Sequence, residues 1–456
     1  MNRLFIGNFD FEHRLAGPAK QAPALLRRIN AELATSWLAV AEEGDFIWTP
    51  EPIEPAFFEK ISQFGLPRVR PVTGFDEVPP DAECIPWGWT HEIRSLCDRK
   101  GWAQNAPPDH VVRTVNSRRF SAELEREWRV GLDFSGEANS IEPIERFVDH
   151  HGADVRWVIK AEFGMSGRER LTGRGRPTEA DSNWISKRLH KNGAVFFEPW
   201  IDSLGEVGIQ IEVPRQGEPR FLGMTPMLVD HRGQYRGSGL PASGVDLSLL
   251  IPRNDSWGYA VDIALRAARR IQDLGYFGPL GIDAMQYRDL QGRQRIRPLQ
   301  DINARWTMGR LSLGFRRMLN DNRKACWLHG PAKSLETVHD RTLGEYLIWS
   351  IGNLSLDDYE ALLHSEAGFD WLATQLFTDR TELKDSIPLL SIHQLHEPVS
   401  TVEALKRLTD FLKHIGLMTT NGDLSFPRTR GADLIETSPR MVGDQVASHR
   451  SLLWVW

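Results

Sequence analysis

The sequence predicts a mixed chain: α/β at its N-terminus, α+β with mostly antiparallel strands through its middle, and helical at its C-terminus. Three observations carry that reading. Short apolar runs alternate with amphipathic stretches before residue 110, strand patterns dominate from Val111 onward, and strand signals fade after about Cys326.

In the first part, RLFIGN, PALLRRINAELATSWL, DFIWTP, EPAFFEKISQFG, ECIPW and THEIRSLCDRKGW follow one another as strand and helix patterns. That order predicts a small parallel sheet of βαβ units. The polar, proline-rich NAPPDH at 105–110 reads as a linker. Beyond it the pattern predicts a helix at SAELEREWRV and strands at VRWVIKAEF, AVFFEPWI, VGIQIEV and FLGMTPMLV. From Trp257 to Leu274, Val261, Ala264, Leu265, Ala268 and Ile271 recur at helical spacing. LGEYLIWSIGNL, LDDYEALLHSEAGFDWLATQLF and VEALKRLTDFLKHIGL then read as three helices. The expected division is 1–110, 111–325 and 326–456.

Composition narrows the function classes. A chain of 456 residues has room for two or three cores, and with 41% apolar residues, 25% charged residues and a net charge of −6 it reads as soluble and globular. The net negative charge argues against a nucleic-acid partner bound through bulk positive charge. No apolar run reaches the roughly 20 residues needed to span a bilayer. MNRLFIGNFDFEH has no long apolar stretch followed by a small-residue cleavage site, so no membrane association and a cytoplasmic location are expected. Cys84, Cys97 and Cys326 are too scattered for a disulfide framework or a Cys-x-x-Cys metal site. The PWGW cluster at 86–89 suits either a pocket wall or ordinary packing.

The chemistry concentrates in Asp301-Ile302-Asn303-Ala304-Arg305 and in Asp283 of GIDAMQY. Residues two apart on a strand share a face, so Asp301 and Asn303 can reach one ion while Ile302 points into the core. Gly292 lies midway between Asp283 and Asp301, and a turn there would set the two aspartates opposite each other. Two carboxylates and an amide oxygen suit Mg²⁺ with phosphate oxygens, where zinc would want His or Cys. Aspartate and asparagine at strand ends also serve as plain turn formers. Arg305, of the same parity, adds a cation that suggests a shared anion.

Companions lie upstream. Lys160 ends a strand whose Val155, Trp157 and Ile159 share the opposite face, and a lysine closing a buried strand needs an anion. FGMSGRERLTGRGR follows at once, with Gly164, Gly167, Gly173 and Gly175 among Ser166, Arg168, Arg170, Arg174 and Arg176. Such a loop can offer backbone N–H groups and guanidinium charge to phosphates, or can be a solvated basic loop. No GxxxxGK[ST] loop is present. Glu198-Pro199-Trp200-Ile201 reads as a hinge between lobes, the strand restarting past Glu206. There the Pro199 carbonyl could accept from an adenine amino group and the Ile201 N–H could donate to its ring, with Glu206 near the ribose.

Taken in order, Arg118 in VNSRRFSAELE, Lys160 in VIKAEFG, the FGMSGRER loop, EPWI with Glu206, Asp283 and DINAR resemble the nucleotide site of the ATP-grasp superfamily, over roughly residues 111–315. The resemblance implies two α+β lobes holding ATP, a pre-ATP-grasp domain at 1–110 and a helical extension at 326–456. It implies that Arg118 and Lys160 contact phosphates, with Ser166, Gly167 and Arg168 in the loop closing over them. Glu198, Pro199, Trp200 and Ile201 would form the adenine hinge, and Glu206 would hold ribose. Asp283, Asp301 and Asn303 would bind Mg²⁺, and Arg305 would steady the transferred phosphoryl group. Where this chain has Arg118 and Asp301, family members usually have Lys and Glu.

The implied activity is an ATP-dependent carboxylate–amine ligase: a small-molecule carboxylate attacks the γ-phosphate, and an amine captures the acyl phosphate. A kinase, a ligase with a thiol acceptor, or a non-catalytic Mg-ATP-binding regulatory protein would share the same nucleotide site. Arg310 in TMGRLSLGF follows DINAR closely and could bind a substrate carboxylate or pack at a helix start. His150-His151 and His393 with His396 lack a third ligand at metal spacing. The C-terminal region is open to three roles: capping the acceptor pocket, forming a homodimer contact, or recruiting a partner.

Overall fold

A computed structural model of the chain describes residues 2–17, 24–53, 55–62, 65–164, 169–229, 233–240, 256–318, 325–331, 433–436 and 449–455. The N-terminal unit is the expected parallel sheet. It is built from β1 (Arg3–Ile6), α1 (Phe11–Leu15), α2 (Ala24–Leu33), β2 (Phe46–Trp48), α3 (Pro55–Ser62), β3 (Arg70–Val72), β4 (Glu83–Pro86), α4 (His91–Lys100) and β5 (Ala103–Gln104), with strand order β3-β2-β1-β4-β5. Parallel strands covered on both faces bury apolar side chains on both, and β1 does so at Leu4, Phe5 and Ile6. Its Phe5 joins the core shared with the middle of the chain, while Leu4 and Ile6 join the core beneath α4. The Thr90 side chain caps α4, and Gly101 in the left-handed region ends it.

NAPPDH is shorter as a linker than its composition suggests. Pro108 serves as the N-cap residue of α5 (Asp109–Val115), whose Val111, Val112 and Val115 are buried, and α6 (Arg118–Trp128) follows almost directly. Then comes a small lobe: β6 (Gly136–Ala138), α7 (Glu142–His151), β7 (Arg156–Lys160), β8 (Arg170–Arg174), α8 (Glu179–Asn192) and β9 (Val195–Pro199), an antiparallel sheet in the order β6-β9-β7-β8. Trp157, Ile159, Val195 and Phe197 pack with Ile144, Phe147 and Ile185 of the two helices. Strand periodicity therefore turns Lys160 and Glu198 to the other face.

Only Trp200 and Ile201 separate β9 from β10 (Asp202–Val213), the first strand of the large lobe. It continues with β11 (Arg220–Val229), β12 (Tyr235–Leu240), α9 (Ser256–Asp273), β13 (Gly278–Arg288), β14 (Gln294–Asn303), α10 (Met308–Phe315), β15 (Ala325–Pro331), β16 (Asp433–Glu436) and β17 (His449–Val455). The sheet order is β14-β13-β10-β11-β12-β15-β17-β16, antiparallel throughout. Along β10, Val207, Ile209, Ile211 and Val213 are buried with Leu280, Ile282 and Ala284 of β13 and with Ala260, Ala264, Ala268 and Ile271 of α9. The alternate positions carry Glu206, Gly208, Gln210, Asp283 and Asp301 on the face that turns toward the other two units.

Two expectations need correcting. The stretch expected to be a basic loop contains β8, in which Arg170 pairs with Lys160 and Gly173 with Trp157. A Cβ at Gly173 would lie 2.0 Å from the Trp157 ring, and Gly175 at φ +63 passes 2.5 Å from the Ala153 carbonyl, again measured to a built Cβ. Those two glycines serve close packing rather than a ligand. At the C-terminus, the described parts of 326–456 are strands that extend the large sheet, and the 325/326 boundary falls inside β15. The three expected helices lie outside the described residues.

The N-terminal unit docks on α10 through backbone. A Cβ on Gly314 would meet the Ala39 carbonyl oxygen at 2.5 Å and its carbon at 2.9 Å. Gly314→Ala is therefore expected to destabilise the chain by about 1–3 kcal/mol, because neither backbone can give way. Urea denaturation would show a lower midpoint with an unchanged slope; an unaltered midpoint would mean the docking is looser than the structure has it.

Candidate active site

The β13–β14 hairpin assembles the acidic end of the site. Its turn is closed by Gly292 at φ +78 and by Asp289, whose carboxylate accepts the backbone N–H of Gln291 at 3.0 Å and of Arg293 at 2.9 Å. The register that follows sets Asp283 directly opposite Asp301 and Gly281 opposite Asn303. Ile302 between them is 4% exposed and belongs to the core, so the acidic pair is pinned by burial of the intervening residue. The Asn303 amide donates to Asp283 at 3.2 Å. Burial pushes the Asp283 carboxyl up to about 7, the Asp301 charge adding to the effect and Arg305 opposing it.

Facing these acids is a set of cations. Arg118 opens α6, where the Ser117 hydroxyl donates to Glu162 at 2.7 Å, and reaches Asp301 at 3.2 Å. Lys160 donates to Glu198 at 2.7 Å. Glu198 in turn accepts from Arg297 at 3.0 and 3.2 Å, and Arg297 forks onto Glu125 of α6 at 2.6 and 2.8 Å. Burial alone would raise Glu198; Arg297 and Lys160 together hold it well below the ordinary carboxylate range. Burial pushes Lys160 down, against the pull of Glu198. Burial likewise raises Glu206, which Ser203 and Gln300 hydrogen bonds partly offset.

Arg118, Lys160, Glu206, Asp283, Asp301, Asn303 and Arg305 all line one cleft of about 370 Å³ between the lobes and the N-terminal unit, with Gly164 and Arg170 at its rim. Other expected residues fall elsewhere. Ser166, Gly167 and Arg168 lie outside the described residues. Glu198 lines an adjoining cavity of about 260 Å³ and touches the cleft through Lys160. Pro199, Trp200 and Ile201 form the hinge but are absent from the described lining of the cleft. The Trp200 N–H is spent on the Arg156 carbonyl at 2.9 Å, and the Arg156 guanidinium lies 5.6 Å from the Trp200 ring. Glu206 sits within β10, since that strand restarts at Asp202 and not past it. Arg310 points away from the cleft to Glu212 at 2.8 Å. His150 and His151, in the last turn of α7, meet edge to face and both contact the Phe134 ring, His393 and His396 lie outside the described residues, and among the described residues no cluster of three His, Cys, Asp or Glu could hold a metal.

Sequence reasoning missed the part of the cleft that comes from far away in the chain. Glu12 of α1, only 7% exposed, is ion-paired with Arg305, and its second carboxylate oxygen has no hydrogen-bond partner. Arg305 also donates to Asn303 at 2.9 Å and lies 5.2 Å from the Trp87 ring. Phe9, Leu33 and Trp87 add apolar wall from the N-terminal unit, so PWGW both lines the cleft and packs. Gln210, Thr225 and Thr307 form a polar floor, Thr307 donating to Gln210 at 2.7 Å. Gly309 has to be glycine there, as a Cβ would lie 2.5 Å from both Gln210 and Thr225. The spacing of these residues carries no signal; only the fold collects them.

No family model matches the chain. A curated relative, "[Butirosin acyl-carrier protein]--L-glutamate ligase" from Niallia circulans, is 23% identical over 288 residues, covering 59% of this chain and 65% of that protein. Among solved structures, an N5-carboxyaminoimidazole synthetase from Staphylococcus aureus complexed with ADP is similar at 10% identity and a TM-score of 0.44, covering 74% of this chain and 84% of that one. A biotin carboxylase–β,γ-ATP complex from Campylobacter jejuni is similar at 10% identity and a TM-score of 0.43, covering 73% and 76%. Two α+β lobes meet at a two-residue hinge behind a parallel-sheet unit, with paired aspartates on a hairpin of one lobe and a strand-end lysine on the other. This is the layout that the resemblance to the ATP-grasp superfamily implies.

Asp283 gives this site a signature in stability. Its folded value of about 7 lies above the ordinary 3.8, so the stability it confers is complete below about pH 4 and is lost as pH rises through 7. In EDTA at pH 8, Asp283→Asn is expected to be more stable than the parent by about 1–4 kcal/mol, the gap closing toward pH 4. Urea melts at both pH values check this. A variant less stable than the parent at pH 8 would contradict the crowding of the two carboxylates.

Proposed function

We propose that the chain is an ATP-dependent ligase that activates a small-molecule carboxylate as an acyl phosphate and joins it to an amine. The observation that carries this is the convergence, in one cleft, of a carboxylate pair with an amide at one end and of Arg118, Lys160 and Arg305 around it. The donor set fits Mg²⁺: two carboxylates and an amide oxygen leave room for phosphate oxygens and water, and burial with like charge makes the pair costly without a cation. When bound by Asp283, Asp301 and Asn303, Mg²⁺ would neutralise phosphate charge.

The residues of the chain would do the rest by position and charge. Lys160 and Arg118 would contact phosphate oxygens, Lys160 keeping one N–H on Glu198 and having others for ligand. Ser166, Gly167 and Arg168, which fall between β7 and β8 in the sequence, would cover the phosphates and exclude water. Glu198 to Ile201 would pass beside the base and Glu206 would accept ribose hydroxyls. Arg305, aligned by Glu12 and Asn303, would steady the transferred phosphoryl group. Arg310, held by Glu212 outside the cleft, would brace α10 rather than bind substrate.

The curated relative's name joins an acyl-carrier protein to L-glutamate. That supports a second reading, in which a carrier protein bears one of the two reactants.

Acyl phosphate formation can be tested before the acceptor is identified. Full-length protein with Mg-ATP, hydroxylamine and a panel of amino acids, L-glutamate included, is expected to yield ADP and a hydroxamate in equal amounts. Asp301→Ala is expected to lower that turnover at least 100-fold while keeping its near-UV circular dichroism. Undiminished turnover in the variant, or AMP as the product, would defeat the reading.

A further inference from the structure

Four buried charged groups form a linear chain running back from the cleft: Lys160 to Glu198 at 2.7 Å, Glu198 to Arg297 at 3.0 Å, and Arg297 to Glu125 at 2.6 Å. Their side chains are 15%, 12%, 3% and 7% exposed, reading from Lys160 to Glu198, Arg297 and Glu125. At that burial an uncompensated charge is expensive, whereas exposed ion pairs contribute little. The four charges sum to zero, and each carboxylate has a cation on at least one side.

β14 is irregular next to Arg297. Asp283 pairs with Asp301 and Met285 with Arg297, so two steps along β13 face four along β14. The three intervening residues of β14, set against Ala284 alone, include Pro298, which has no N–H for the ladder. The two extra residues keep the alternation, so Arg297 stays on the face of Asp301 and there meets α6 and the small lobe. Its planar fork spans both carboxylates, a task a single ammonium cannot perform.

We infer that Arg297 is a positioning residue for nucleotide: by bridging Glu125 and Glu198 it holds Glu198 where it fixes the Lys160 ammonium, and so sets the distance between the cationic and acidic ends of the cleft. This rests on the nucleotide reading above. Without Arg297, Glu125 and Glu198 are left with only Lys160 to answer two negative charges, and the ammonium is drawn back from the cleft. Removing Glu125 as well restores a neutral Lys160–Glu198 pair.

The test is calorimetric titration of Mg-ADP into the folded full-length protein and its variants. Arg297→Leu is expected to weaken binding at least 10-fold, and the double variant Glu125→Leu with Arg297→Leu to return to within about 3-fold of the parent, as charge compensation requires. A role in stability alone would leave the affinity of each folded variant unchanged. Parental affinity in Arg297→Leu, or a double variant as weak as the single one, would overturn the inference. Should Arg297→Leu not fold, Arg297→Lys decides: weakened binding supports the inference and unchanged binding overturns it. A parent chain that binds no Mg-ADP would overturn the nucleotide reading itself, a result distinct from any difference among the variants.

Discussion

The antiparallel register of β13 and β14 is the constraint on which the site depends. It is set by a turn that only a left-handed residue at Gly292 closes easily, and it is locked by Ile282 and Ile302, whose burial forbids a one-residue slip. With that register, Asp283 and Asp301 must oppose each other and Asn303 must lie beside them. Two acids so placed cannot both be comfortable in a buried cleft. The rest of the site answers that imbalance: Arg118 reaches Asp301, Arg305 reaches Asn303, and Lys160 stands across the cleft.

The cations are themselves restrained. Arg305 is clasped by Glu12 from the N-terminal unit, and Lys160 by Glu198, so neither is a free arm that would need ordering when an anion arrives. The Glu12 restraint crosses between units of the fold, and so does the Arg297 bridge that holds Glu198. Glu12 stands 293 positions from Arg305, and Arg297 stands 99 from Glu198 and 172 from Glu125. The geometry of the cleft is thus a property of how the three units meet, which is why close backbone packing at Gly314 belongs to the same account as the charges.

Residues that act through local periodicity were legible in the sequence. Strand parity put Asp301 and Asn303 on one face and Ile302 in the core, the position of Gly292 indicated the hairpin, and alternation isolated Lys160 from Trp157 and Ile159. The hinge was legible as a break between two apolar strands, although its backbone is engaged with Arg156. What escaped was whatever breaks periodicity or comes from a distance. Arg297 shares the parity of Asp301, but its partners Glu125 and Glu198 stand 172 and 99 positions away, and β8 is hidden by a glycine-arginine composition that looks like loop until Trp157 claims the space over Gly173. Glu12 has no partner in its own neighbourhood, so burial beside Arg305 could not be foreseen. The strands after Ala325 were overlooked because short strands completing a distant sheet edge leave little pattern of their own.

In the proposed function, the aspartate pair and the facing cations form a single site for a metal–nucleotide complex. The direct measurement is the affinity of the full-length protein for ADP by calorimetry, with Mg²⁺ and again in EDTA. Coupled binding predicts affinity at least 10-fold tighter with Mg²⁺, because only the metal reconciles Asp283 and Asp301 with phosphate oxygens. Equal affinity in both buffers would contradict it, since the nucleotide would then be held by the cations alone.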